Sequence, residues 1–215
     1  MMIQTFGHNR KLQLMLAAFA VFWIWMAINP VHRSNWLLEN LLVFAAVIVF
    51  SLTYRQFAFS NASYGQLLLF MSLHTLGAHY TYATTPVDVW LHGLFDFERN
   101  HYDRVVHFSF GLLLAYPAYE FLSRLIRVNG IWAYVLAVIT ILSAGAFYEL
   151  IEMWVAKIVA PEIGTMFLGT QGDEWDAQQD MAVALYGAAI SMVTTAILHQ
   201  IKKHSLQKVS DQTYL

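Results

Sequence analysis

Arg99-Asn-His-Tyr-Asp-Arg-Val-Val-His-Phe-Ser-Phe-Gly-Leu-Leu-Leu114 runs from a charged segment straight into an apolar one, with no turn former where the two meet. Read as the entry of a membrane helix, it sets Asp103 and His107 four residues apart. That spacing leaves them about 40° apart around the axis and roughly 6 Å along it, so both side chains can address one small object. The surrounding composition supports that reading. Of 215 residues, 58% are apolar and 12% charged, and the mean hydropathy is +0.49, far from the mix of a soluble domain. The expected fold class is all-α, a polytopic membrane protein.

Six segments have the length that a bilayer core demands, roughly 20 residues each. They cover about 11–29, 37–54, 64–83, 104–122, 131–154 and 180–199, and Asn29-Pro30, Ser60-Asn61 and Asn129-Gly130 punctuate between them. Leu12 to Ile28 is too long for the apolar region of a secretory signal, and Ala27-Ile28-Asn29-Pro30 does not suit a cleavage site, so a retained first span is expected. No internal repeat or low-complexity tract divides the chain. A single six-helix domain over residues 1–215 is the economical expectation.

Lysine and arginine set the orientation. With the amino terminus inside, Arg10, Lys11, Arg55, Arg124, Arg127, Lys202, Lys203 and Lys208 are cytoplasmic, whereas Arg33, Arg99, Arg104 and Lys157 lie outside. Both termini are therefore expected in the cytoplasm. The acids show the reverse bias, with Glu120 and Asp211 at the inner side. Tryptophan gathers toward the outer boundary, as an interfacial belt does. The net charge of −2 gives no reason to expect a nucleic-acid partner. The absence of cysteine excludes disulfides, thiolate metal sites, iron–sulfur clusters and a cysteine nucleophile.

That topology brings four helices' polar residues to one depth at the outer side. Late span three holds His74 and His79, early span four Asp103 and His107, late span five Glu149 and Glu152, and early span six Asp176 and Asp180. Glu149 and Glu152 are about 60° and 4.5 Å apart and can face inward together. His74 and His79 diverge by about 140°, so only one is expected to face the site; His79, closer to the depth of the others, is the candidate. So many acids with Arg104 and Lys157 as near cations need protons or a bound cation. Oxygen ligands with one or two imidazoles suit Zn, Mn or Fe, and with fewer imidazoles Mg or Ca. The expected metal ligands are His79, His107, Glu149, Asp176 and Asp180, with Glu152 or Asp103 as general base.

The competing structural readings are specific. Asp103 is also suited to capping its helix, Glu149 and Glu152 to pairing with Tyr80, Tyr82 or Arg104, and Asp180 to capping the last span. Gly111 and Gly145 suit close helix approach. Residues 164–181 form the longest outer connection, able to fold back as a lid with Gly169 and Gly172 at tight turns. Asp173, Asp176 and Asp180 lack the spacing and the terminal Glu of an EF-hand.

His-Tyr-Asp-Arg-Val-Val-His-Phe at 101–108, Tyr-Glu-Leu-Ile-Glu at 148–152 and Gly-Thr-Gln-Gly-Asp-Glu-Trp-Asp-Ala-Gln-Gln-Asp-Met at 169–181 resemble the blocks of the YjdF family of bacterial inner-membrane proteins. The resemblance implies a multi-pass inner-membrane protein and carries no expectation of activity. The residues themselves lead first to a metal-dependent hydrolase or transferase facing the periplasm and meeting membrane lipid or envelope precursors. A proton- or cation-coupled transporter and a non-catalytic structural protein are the alternatives. No protein partner is legible.

Overall fold

The computed structural model describes residues 6–94 and 101–213, and among them the chain forms eight α-helices and no strand. These are α1 (Arg10–Ala27), α2 (Arg33–Thr53), α3 (Asn61–His79), α4 (Pro86–Leu94), α5 (Tyr102–Arg124), α6 (Ile131–Ile158), α7 (Pro161–Leu168) and α8 (Asp176–Thr213). Arg99 lies outside the described residues, as do the side chains of Lys208 and Asp211.

Five helices, α1, α2, α5, α6 and α8, are long and apolar enough to cross a bilayer. α3, expected as a sixth such segment, has the length at 19 residues but carries Asn61, Ser63, Gln66, Ser72, His74 and Thr75. Its surroundings explain the difference. α3 packs on α1, α2 and α5 and buries Ser63, Tyr64, Leu67, Phe70, Met71, His74 and Thr75, so its polar groups meet protein. The bundle's exterior is apolar instead: Leu14, Val21, Leu52, Ile139, Phe147 and Val193 all project outward. That inversion is the pattern of a chain solvated by hydrocarbon.

The tightest contact joins α5 to α8. A Cβ on Gly111 would stand 1.8 Å from the Ala184 carbonyl oxygen, and one on Gly187 2.3 Å from the Phe108 carbonyl oxygen. Ala115 and Ala188 continue the same small-residue seam, packed with Ile141 and Met192. Between helices in lipid, such close approach supplies the van der Waals contact that a hydrophobic effect supplies in water. Gly145 differs, since a Cβ there would meet only the Phe110 ring at an ordinary 3.8 Å; close approach explains Gly111 and leaves Gly145 without that role.

At the far end of α5 from Asp103, buried Glu120 accepts from the Ser60 backbone N–H at 2.9 Å and the Ser60 hydroxyl at 2.9 Å, and also pairs with the Ser63 hydroxyl and Arg124. Ser60 caps α3, so this carboxylate sits where the helix dipole favours negative charge. Asp103 and Glu120 are 17 residues apart, about 26 Å along the axis, and so belong to opposite ends of the bundle.

Gly111→Ala is expected to destabilise the detergent-solubilised protein by about 1–3 kcal/mol or to block its folding, because the new methyl meets backbone. Gly145→Ala, with room for its methyl, leaves the thermal unfolding midpoint nearly unchanged.

Candidate functional site

The site begins with how α5 starts. His101 occupies the cap position without a side-chain cap bond; the Asp88 carboxylate of α4 instead accepts from the His101 N–H at 2.7 Å and the Tyr102 N–H at 3.0 Å. Asp88 is 2% exposed and is oriented by the Thr85 hydroxyl at 2.8 Å. Capping by Asp88 relieves Asp103 of that task.

Arg104, on the next position of α5, gathers the start of α8. Its Nη2 donates to Asp176 Oδ1 at 2.8 Å and Asp173 Oδ2 at 3.3 Å, its Nη1 donates to the Asp176 carbonyl at 3.0 Å, and it pairs with Asp180. A planar guanidinium with five fixed donors suits this many acceptors, which a lysine could not match. Asp180 therefore lies one turn inside α8, engaged with Arg104, instead of capping the helix.

One helical turn deeper, His107 Nε2 lies 3.6 Å from Asp103 Oδ1 and 3.8 Å from Glu149 Oε1. Both separations exceed a hydrogen bond and fit groups that share a third atom between them. Asp103, His107 and Asp180 each offer a ligand atom within 4.8 Å of the others. Ligands about 2.1 Å from one ion stand roughly 3–4 Å apart, so a small contraction of this trio would bring it to the spacing that a divalent ion requires. Asp180 can keep Arg104 on one oxygen and turn the other inward. Glu149 and Glu152 lie one turn apart on α6.

Below this cluster lies a cavity of about 310 Å³. α2 contributes Glu39 and Leu42 to its walls, α3 Phe70 and His74, and α6 Phe147, Tyr148 and Glu152. α7, from the expected lid segment, closes it with Met166 and Phe167. The short helix packs on α6 and α2, and Gly169 (φ +62°) and Gly172 (φ +86°) turn the chain back toward α8 as expected of them.

The structure does not bring His79 to the cluster. Its Nδ1 meets the Met26 carbonyl at 2.8 Å, while His74 lines the cavity in its place. The Glu39 carbonyl, 2.9 Å from His74 Nε2, can only accept, which puts the ring proton there and leaves Nδ1 to receive the Tyr82 hydroxyl at 2.5 Å. Thr81 (φ +57°) and Tyr82 (φ +60°) both adopt the left-handed region, and the Tyr82 ring folds onto Gly77, where a Cβ would be 2.6 Å away. Two consecutive non-glycine residues in that region hold strain that the tertiary contacts must offset. Asp176, expected as a ligand, is turned to Arg104 by one carboxylate oxygen and its own carbonyl.

Glu39 is absent from the sequence-based candidates. It is 3% exposed and its Oε2 lies 3.5 Å from the Tyr148 hydroxyl. The available signal was Asn35, Glu39 and Asn40 within one apolar span, a costly concentration unless that face is turned inward.

Residues 11–201 match a family described as "Predicted membrane protein (DUF2238)". The inner membrane protein YjdF of Escherichia coli (strain K12) is 34% identical over 187 residues, covering 85% of this chain and 88% of that protein. No solved structure matches the chain.

Arg104→Gln leaves Asp173, Asp176 and Asp180 without their shared cation. Breaking one partner of a buried ion pair costs about 3–5 kcal/mol. The expected result is faster amide exchange and proteolysis confined to residues 170–180, read by mass spectrometry, and Arg104→Lys restores protection only in part.

Proposed function

The chain belongs to the DUF2238 family of membrane proteins and is a multi-pass protein of the inner membrane, and from that premise we propose that it is a divalent-metal hydrolase or transferase acting on a membrane amphiphile. The observation that carries the reading is the convergence of Asp103, His107 and Asp180 within 4.8 Å, at the rim of a mostly apolar cavity. Two carboxylates and an imidazole suit Zn, Mn, Fe or Mg. A divalent ion there supplies a water of lowered pKa and stabilises the negative charge that develops in the reaction.

The remaining roles fall to named side chains. Arg104 fixes the orientation of Asp180, and Asp88, not Asp103, caps the first turn of α5, so Asp103 shares a face with His107. Glu152 lines the cavity beside Glu149 and is placed to be the general base. In hydrolysis of an ester or phosphoester, water oxygen bonds to the electrophilic carbon or phosphorus. Glu152 takes the water proton, the bond to the leaving oxygen breaks, and Glu152 returns a proton to that oxygen. In transfer, a hydroxyl of a second substrate takes the place of water. Lipid is the natural partner of a cavity within a bundle whose exterior is apolar.

Metal analysis of the protein purified in detergent tests the reading. About one divalent ion per chain is expected, falling below about a tenth in His107→Ala and Asp180→Asn while both variants stay folded. Wild-type protein that holds no metal after exposure to Zn, Mn, Fe and Mg, and melts at the same temperature with and without chelator, overturns it.

A further inference from the structure

The cavity's charge constrains what enters it, and this step rests on the reading of that cavity as the substrate chamber. Its lining includes three carboxylates, Glu39, Asp103 and Glu152, and two imidazoles, His74 and His107, and among the described residues no lysine or arginine. Arg104, next to Asp103 on α5, is turned to the α8 acids. Glu39 is the informative member: 3% exposed, on an apolar helix, it has the neutral Tyr148 hydroxyl beside it and no salt bridge among the described residues. A carboxylate withdrawn from water without a cationic partner is costly.

The walls around it are aromatic. Phe70, Tyr82, Phe110 and Tyr148 line the same space. Aromatic faces beside a carboxylate are the chemistry that receives an organic ammonium, through attraction to the ring quadrupoles together with charge pairing. An anionic head would face the carboxylates, and no lysine or arginine among the described residues lines the cavity to receive it. Size and access narrow the class further. A volume of about 310 Å³ is at the small end for organic ligands, too little for a two-chain lipid and sufficient for one short apolar chain with a compact head. Phe147 lines the cavity and is also 56% exposed on the outer face of α6, so an apolar chain reaches the cavity sideways from hydrocarbon.

We infer that the cavity binds a cationic, single-chain amphiphile, an alkylamine or alkylammonium compound, with its nitrogen against Glu39 and its chain along Phe147. The ammonium supplies the positive charge that the described lining of the cavity lacks.

Calorimetric titration of the detergent-purified protein with hexyltrimethylammonium, tetramethylammonium and hexanesulfonate tests this, at fixed ionic strength and with metal content measured on the same samples. The expected result is one hexyltrimethylammonium per chain, bound at least roughly tenfold more tightly than either hexanesulfonate or tetramethylammonium. Glu39→Gln is expected to weaken it by roughly tenfold or more. Should Glu39→Gln not fold, Phe147→Ala, altered on the lipid-facing side, is expected to weaken the six-carbon probe and leave tetramethylammonium unchanged. Equal or tighter binding of hexanesulfonate overturns the inference, as does unchanged affinity in folded Glu39→Gln. Protein that keeps its metal and ignores the ammonium overturns this inference alone. Ammonium binding that survives in metal-free His107→Ala upholds it whatever the fate of the metal reading.

Discussion

The closeness of α5 and α8 is the constraint from which the acidic end of the bundle follows. With the Ala184 carbonyl where a Gly111 side chain would be, and the Phe108 carbonyl where a Gly187 side chain would be, the two backbones are nearly in contact. Helices that meet this tightly at their middles cannot diverge far at their ends, and so Asp103, Arg104 and His107 of α5 face Asp176 and Asp180 of α8. A bulkier seam would separate the same side chains by several ångströms. The polar cluster is thus a product of an apolar contact one to two turns away.

Charge supplies the second constraint. Arg104 is the cation that the described structure places among Asp173, Asp176 and Asp180, while Glu39, Asp103 and Glu152 line the cavity on the other side. The guanidinium serves the loop before α8, and Glu39, buried in α2, makes no salt bridge among the described residues. The opposite end of the bundle is different in kind: Glu120 has Ser60, Ser63 and Arg124 around it, and nothing in that arrangement calls for a ligand.

Much of this was legible from residue spacing. Composition and segment length indicate a multi-pass helical protein, and family membership agrees with the blocks at 101–108, 148–152 and 169–181. Helical arithmetic pairs Asp103 with His107 and Glu149 with Glu152, because those pairs lie on straight helices where local geometry governs. It fails at His74 and His79, since the choice is made by a non-local event: the left-handed turn at Thr81 and Tyr82 brings a phenol back to His74, and Met26 of α1 claims His79. Glu39 escapes because α2 reads as an ordinary apolar span until α7 is known to lie over its first turns. α7 itself escapes because an eight-residue helix opening on Pro161 resembles loop when only bilayer-length segments are sought.

The Asp88 carboxylate joins two regions that chain connectivity alone would leave independent. It belongs to α4, whose Val89 and Trp90 project outward at 74% and 64% exposure, and it completes the first turn of α5. A force that lifts α4 must pull that carboxylate from the His101 and Tyr102 amides, loosening the turn that carries Asp103. Mechanical load on α4 is thereby transmitted to α5 through two hydrogen bonds, as a tether transmits tension.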